Sequence, residues 1–92
     1  MTQEDECEIK ACLHFARKII EHGNLAQAER LYRAILKQAE EVNGEGPLTG
    51  MVLLDLHEFY EKQNRHDESA PVWERIRRIL IRGAAPWQKA ES

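Results

Sequence analysis

The feature that most constrains the fold is a helical pattern that both halves of the chain share, about 41 residues apart. Large, small and turn-forming residues recur at matching places. The first half reads Cys12-x2-Phe15-Ala16-x2-Ile19, Gly23 and Ala28-x3-Tyr32; the second reads Leu53-x2-Leu56-His57-x2-Tyr60, Asn64 and Ser69-x3-Trp73. Such repetition is typical of proteins whose units bury their apolar faces against each other. We therefore expect a repeat architecture.

Apolar residues that recur every three or four positions predict a first helix from about Asp5 to His22. Gly23 suits the left-handed end of that helix, and Asn24 suits the cap of the next one. A second helix is predicted from about Leu25 to Val42, which completes a helical hairpin. The apolar side of the first helix is expected to bury Ile9, Cys12, Phe15, Ala16, Ile19 and Ile20.

Residues 43–47, Asn-Gly-Glu-Gly-Pro, form the clearest loop in the chain. Pro47 or Thr49 should open the third helix, which is expected to end near Gln63. Asn64 then takes the place that Gly23 holds in the first hairpin, and Asn is the usual substitute for Gly in a left-handed cap. The second hairpin should repeat the turn of the first.

The fourth helix is predicted from His66 or Asp67 to about Arg82, with Pro71 tolerated near its first turn. Its buried residues are expected to be Val72, Trp73, Ile76, Ile79 and Leu80. The chain is thus divided into one repeat at about 5–42, a loop at 43–47, a second repeat at about 48–82 and a tail at 83–92. In that tail, Trp87 is expected either to cap the last hairpin or to contact a partner.

Composition supports one folded domain in the cytoplasm. The 92 residues are 42% hydrophobic and 32% charged, as in globular helical proteins. The first residues are acidic, where a secretion signal would be basic and then apolar. No apolar run approaches the roughly 20 residues that span a bilayer, so we expect no membrane contact.

The repeated positions resemble two tetratricopeptide repeats, from about Ile9 to Leu80. Asn64-Arg65-His66-Asp67-Glu68-Ser69-Ala70-Pro71-Val72-Trp73 is especially similar to the longer repeats of kinesin light chains. The resemblance implies an all-α fold, in which two antiparallel hairpins stack as a short right-handed α-solenoid with a short C-terminal capping segment. It also implies a non-catalytic scaffold or adaptor that binds a protein or peptide. His57 departs from the family pattern, which has a small residue there, and should be a packed, hydrogen-bonded histidine.

In that family the first helix of each hairpin lines a concave groove. The resemblance places these residues in the groove: Lys10, Leu13, His14, Arg17, Ile20, Glu21, Met51, Leu54, Asp55, Glu58, Glu61 and Lys62. The site residues are expected to be Lys10, Leu13, His14, Arg17, Met51, Leu54, Asp55 and Glu58. Ion pairs are expected between Arg17 and Glu58 and between Glu21 and Lys62. The apolar members suit a helical or extended segment with an apolar anchor.

The sequence offers no catalytic, metal-binding or cofactor-binding motif, so we do not expect an enzyme. The segment His57-Glu58-Phe59-Tyr60-Glu61 resembles a zinc-protease helix but has Glu61 where the second histidine must stand. Gly44-Glu45-Gly46 lacks the preceding strand of a dinucleotide loop. Cys7 and Cys12 are spaced so that they point apart on one helix, which disfavours a disulfide or a metal pair.

Charge is unevenly distributed between the two ends. Acidic residues crowd the start of the first helix and arginines crowd the last helix, in agreement with the helix dipoles. Opposite ends could also meet between chains to give a homo-oligomer. The alternative function is an oligomerising regulatory module whose basic face, Arg75, Arg78 and Arg82, contacts nucleic acid. The net charge of -3 argues against that contact.

Overall fold

The computed structural model describes residues 3–82, and it confirms the all-α fold class. Four helices follow one another: α1 is Gln3–Glu21, α2 is Leu25–Asn43, α3 is Pro47–Lys62 and α4 is His66–Ile81. These bounds lie within about two residues of the predicted ones. The predicted capping segment, with Trp87, lies outside the described residues.

The two hairpin turns have the same backbone geometry. Gly23 and Asn64 both adopt left-handed conformations, with φ of 84° and 59°. The next residues also correspond, since Asn24 has φ −91° and ψ 76° and Arg65 has φ −95° and ψ 66°. Matching backbone hydrogen bonds close both turns. The predicted exchange of Gly for Asn is therefore confirmed.

The loop between the hairpins fixes where α3 begins. The side-chain Oδ1 of Asn43 accepts a hydrogen bond of 2.7 Å from the amide of Leu48. The hydroxyl of Thr49 donates a bond of 2.6 Å to the carbonyl of Gly44. Pro47 stands in the first turn, where its missing N–H costs no helical hydrogen bond. The loop thus joins the end of α2 directly to the start of α3.

Consecutive helices pack against each other, and α1 also touches α3. The main core lies among α1, α2 and α3, where the rings of Tyr32 and Phe59 meet at 5.4 Å between centroids. A smaller cluster of Leu53, Ile76 and Ile79 lies between α3 and α4. The buried residues of the main core are Ile9, Leu13, Ala16, Ala28, Tyr32, Ile35, Ala39, Leu48, Val52, Leu56, Phe59 and Tyr60.

Three predictions about burial were wrong. Phe15 and Trp73 were expected in the core, yet they are 59% and 43% exposed. Leu13 was expected to line the groove, yet it is 2% exposed and lies in the main core. The difference depends on which side of each hairpin has a neighbour. The third helix, α3, covers the side of the first hairpin that holds Leu13. Phe15 lies on the outer side of the first hairpin, and Trp73 lies on the outer side of the second. A repeat pattern aligns positions but does not tell which copy has a neighbour.

Glu29 of α2 ties the first hairpin to the second turn. Its carboxylate accepts hydrogen bonds from the guanidinium of Arg65 at 2.9 Å, from the hydroxyl of Tyr60 at 3.1 Å and from Arg33 at 2.9 Å. The Arg65 guanidinium also lies over the Tyr60 ring, 4.8 Å from its centroid. These bonds, led by that from Arg65, hold the pKa of Glu29 below its ordinary value.

Candidate functional site: a cleft between the first helices of the two hairpins

A cleft of ≈ 290 Å³ opens between α1 and α3, above the start of α2. Its floor is apolar and consists of Ile20, Leu25, Tyr32 and Phe59. Its rim is polar and consists of Gln63 and five charged residues, Arg17, Glu21, Asp55, Glu58 and Lys62. We call this the α1–α3 cleft. It lies between the first helices of the two hairpins.

The floor combines two rigid aromatic rings with a more accessible leucine. Tyr32 and Phe59 are 2% and 4% exposed, and their rings contact each other. Burial raises the pKa of Tyr32 to about 12; Asp55 adds to the rise and Arg17 opposes it. The Tyr32 hydroxyl therefore stays neutral at physiological pH. Leu25 is 39% exposed, so it offers apolar surface to an incoming side chain.

One ion pair spans the rim from α1 to α3. Arg17 donates from Nε to Oδ2 of Asp55 at 3.0 Å, and from Nη2 to Oδ1 and Oδ2 at 2.9 and 2.7 Å. These bonds raise the pKa of Arg17. The predicted partner of Arg17, Glu58, was wrong. Asp55 lies nearly one turn earlier on α3, and its side chain is the one that reaches Arg17.

The second predicted ion pair was also wrong. The Nζ atom of Lys62 lies 3.9 Å from Glu58 of its own helix, and both side chains are at least 70% exposed. Glu21 forms no ion pair within residues 3–82. Three carboxylates and two cations therefore share the rim, and Arg17 is already bound to Asp55. The charge left for a partner is acidic, from Glu21 and from the loosely paired Glu58.

Of the eight predicted site residues, the cleft brings together Arg17, Asp55 and Glu58. Lys10 pairs instead with Glu6 of its own helix at 3.0 Å, and His14 is exposed elsewhere on α1. The other three predicted residues do not line the cleft either: Leu13 is in the core, Met51 packs against the core, and Leu54 is 49% exposed on another face.

The sequence resemblance placed Ile20 in the groove but missed the other three residues of the floor, Leu25, Tyr32 and Phe59. Periodicity does mark these positions as apolar. It does not show where part of that apolar surface stays open to solvent, as it does at Leu25. A signal was nevertheless present, since Leu25 stands in the first turn of α2, directly after the hairpin turn.

The predicted basic face is only partly available. Arg75 donates to Glu40 at 2.6 Å and to Glu45 at 2.9 Å, so its charge is held against α2 and the loop. Its side chain is 25% exposed. Arg78 and Arg82 are exposed. Because one of its three cations is neutralised, this surface gives no support to the alternative of a nucleic-acid contact.

His57 and Glu61 of α3 both contact side chains of α4. The ring of His57 contacts the ring of Trp73, with 5.4 Å between centroids. Ser69 donates to Glu61, and Nδ1 of His66 lies 3.0 Å from the same carboxylate oxygen. Serine and histidine therefore converge on one acceptor, and the imidazole is not placed to activate the hydroxyl. Across residues 3–82, no group of three His, Cys, Asp or Glu residues is placed to hold a metal ion.

Comparison with protein-family models, with curated proteins and with solved structures gave no match. Within the described part of the chain, no helix combines the length and the apolar character needed to cross a membrane.

Proposed function

We propose that this chain is a non-catalytic protein-protein interaction module that binds a protein segment in the α1–α3 cleft. The observation that carries the proposal is the cleft itself, with an apolar floor between the first helices of two hairpins that share one turn geometry. A tetratricopeptide-like stacking of the hairpins as a short right-handed solenoid is part of the proposal, as is an adaptor role in the cytoplasm.

The floor and the rim together suggest the chemistry of the bound segment. An apolar side chain would lie on Leu25 and over the edges of the Tyr32 and Phe59 rings. A neighbouring lysine or arginine would then face Glu21 and Glu58, since Lys62 can offset only one of these two charges. A basic residue next to an apolar anchor, on a helical or extended segment, fits both features.

The test is a selection of random displayed peptides on the wild-type protein, followed by affinity measurement on variants. Glu58→Lys reverses one rim charge, and Leu25→Ser removes the accessible part of the floor. Glu58 is exposed and Leu25 is 39% exposed, and circular dichroism checks that both variants fold. Glu41→Lys is the matched control, because it makes the same charge change on an exposed part of α2.

Selected peptides are expected to carry a basic residue beside an apolar one. Their affinity should fall at least tenfold, or by about 1.4 kcal/mol, in Glu58→Lys and in Leu25→Ser, and should be unchanged in Glu41→Lys. Peptides that bind all four proteins equally would place the binding site elsewhere. A selection that yields no binder would reject the proposed function.

A further inference from the structure

Some positions that are buried in the first hairpin are exposed at the equivalent places in the second. Leu13 and Tyr32 are each 2% exposed in the first hairpin, whereas the corresponding Leu54 and Trp73 are 49% and 43% exposed in the second. In the first hairpin, α3 covers these positions. In the second hairpin, no described element covers them. We call this open surface the trailing face; its members are Leu54, His57, Trp73 and Ile81.

The opposite flank shows the reverse difference. Leu48, Val52 and Leu56 of α3 are 5%, 0% and 4% exposed, because they pack on the first hairpin. Their counterparts on α1 are Cys7, Ala11 and Phe15, all of which are exposed, Phe15 by 59%. We call these three residues the leading face. They recur every four positions, so they form one stripe along α1.

We propose that a second copy of this chain docks its leading face on the trailing face of the first. In that arrangement, α1 of one copy lies against α3 and α4 of the other, as α3 lies against α1 and α2 within one copy. Phe15 then takes the place of Leu56, and it covers Leu54 and Trp73 as Leu56 and its neighbours cover Leu13 and Tyr32. Apart from His57, the side chains of both faces are apolar, and association would bury side chains that each copy alone leaves in water.

Charge supports the second copy as the occupant. Within one copy, the short loop sets the start of α3 beside the end of α2, so a stacked α1 would begin beside the end of the preceding α4. The first turn of α1 is acidic, with Glu4, Asp5 and Glu6. The end of α4 is basic: Arg78 and Arg82 are exposed, and Arg77 is exposed but pairs with Glu74 of its own helix at 3.3 Å. Opposite charges would therefore meet at that end of the interface.

The contacts between the two hairpins of one copy also have chemically compatible equivalents at the proposed interface. At the proposed interface, Glu58 of one copy takes the place of Arg17, and His14 of the next copy takes the place of Asp55. These two side chains can again pair as acceptor and donor. The contact of Tyr32 with Phe59 corresponds to Trp73 with Lys18, a cation beside an indole ring. None of these pairs brings like charges together.

The proposed interface joins two different surfaces of the protein. A dimer therefore still has one free surface of each kind, and further copies can add to it. Wild-type protein is expected to grow in mass with concentration, past twice the monomer mass. The test uses Phe15→Glu, which blocks the leading face, and Trp73→Glu, which blocks the trailing face. Both side chains are exposed, and helical circular dichroism checks that each variant folds. Ala34→Glu is the control, because it places the same charge on an exposed apolar residue of α2 that belongs to neither face.

In analytical ultracentrifugation, each blocked variant alone should remain a monomer, and Ala34→Glu should associate like the wild type. An equimolar mixture of Phe15→Glu and Trp73→Glu should reach twice the monomer mass and no more, since one open face of each kind remains. A wild type that is monomeric at all concentrations overturns the proposal, whether the trailing face is covered by residues 83–92 or by nothing. So does association of Phe15→Glu alone. None of these outcomes depends on peptide binding in the α1–α3 cleft.

Discussion

Arg17 of α1 holds both carboxylate oxygens of Asp55 of α3, through three hydrogen bonds of 2.7 to 3.0 Å. The two side chains differ in accessibility, since Arg17 is 55% exposed and Asp55 is 17% exposed. The pair therefore fastens the two hairpins at the rim of the α1–α3 cleft. It also engages the arginine of the rim, which leaves two carboxylates, Glu21 and Glu58, and one ammonium, Lys62, to set the charge that a partner meets.

Replacing Asp55 with asparagine should lower the free energy of unfolding by about 0.5–1 kcal/mol at low salt. The two-pronged geometry favours the upper part of that range, and the exposure of Arg17 limits it. The loss should shrink at high salt, because exposed charges are screened. Urea unfolding at two salt concentrations measures it.

Glu6→Gln is the matched control, since it breaks the pair with Lys10 on the surface of α1. That change should cost no more than about 0.5 kcal/mol, as is usual for exposed pairs four residues apart. A double-mutant cycle of Arg17→Met and Asp55→Asn isolates the pair itself. A coupling energy of zero in that cycle would contradict the role assigned to it.

The helices and turns could be predicted from the sequence because their signals are local. Apolar spacing, Gly23 and Asn64 each act within one or two helical turns, and the observed bounds agree with them. The constant spacing between matching residues in the two halves of the chain further predicted that the two hairpin turns are equivalent. Both lines of reasoning depend on neighbours along the chain and not on distant packing.

Burial and pairing could not be predicted in the same way. Phe15 and Leu56 occupy equivalent positions, yet one is 59% and the other 4% exposed, because only the second has a hairpin beside it. The choice of Asp55 over Glu58 as the partner of Arg17 depends on how far α1 and α3 are shifted along each other. A pattern of residue types does not contain that shift.

The two left-handed turns should respond to substitution in a matched way. Gly23→Ala should lower the free energy of unfolding by about 1–2 kcal/mol, because a Cβ disfavours φ of 84°. That Cβ would meet nothing within 4 Å, so the cost is one of backbone conformation alone. Asn64→Ala should be destabilising for the same reason, and Asn64→Gly should be neutral or slightly stabilising. Urea unfolding of the three variants checks this order, and an Asn64→Gly protein less stable than Asn64→Ala would contradict it.

Gly50 of α3 offers a stabilising substitution. An added Cβ would lie 3.6 Å from Cγ2 and 3.8 Å from Cδ1 of Ile79, which is ordinary contact distance. Gly50→Ala should therefore raise the free energy of unfolding by about 0.5–1 kcal/mol, since alanine loses less backbone entropy in a helix. Gly50→Leu is the contrast, because its extra atoms would press on Ile79 and should be destabilising. A stability loss in Gly50→Ala would show that α3 and α4 pack more tightly than these distances indicate.

Acid should weaken the fold partly through Glu29. The hydrogen bonds from Arg65, and then from Arg33 and Tyr60, keep its pKa below the ordinary value of 4.5. A carboxyl group whose pKa is lower in the folded state stabilises the fold above its unfolded pKa, and that contribution is lost as the pH falls through the folded pKa. Glu29→Gln should thus be less stable than wild type at neutral pH and should lose less stability below about pH 5, so that the two curves converge in acid.

Urea midpoints over a pH series measure this, with Glu41→Gln on the exposed side of α2 as the control expected to follow the wild type. Parallel curves for Glu29→Gln and wild type would show that the Arg65 contact does not favour the charged carboxylate.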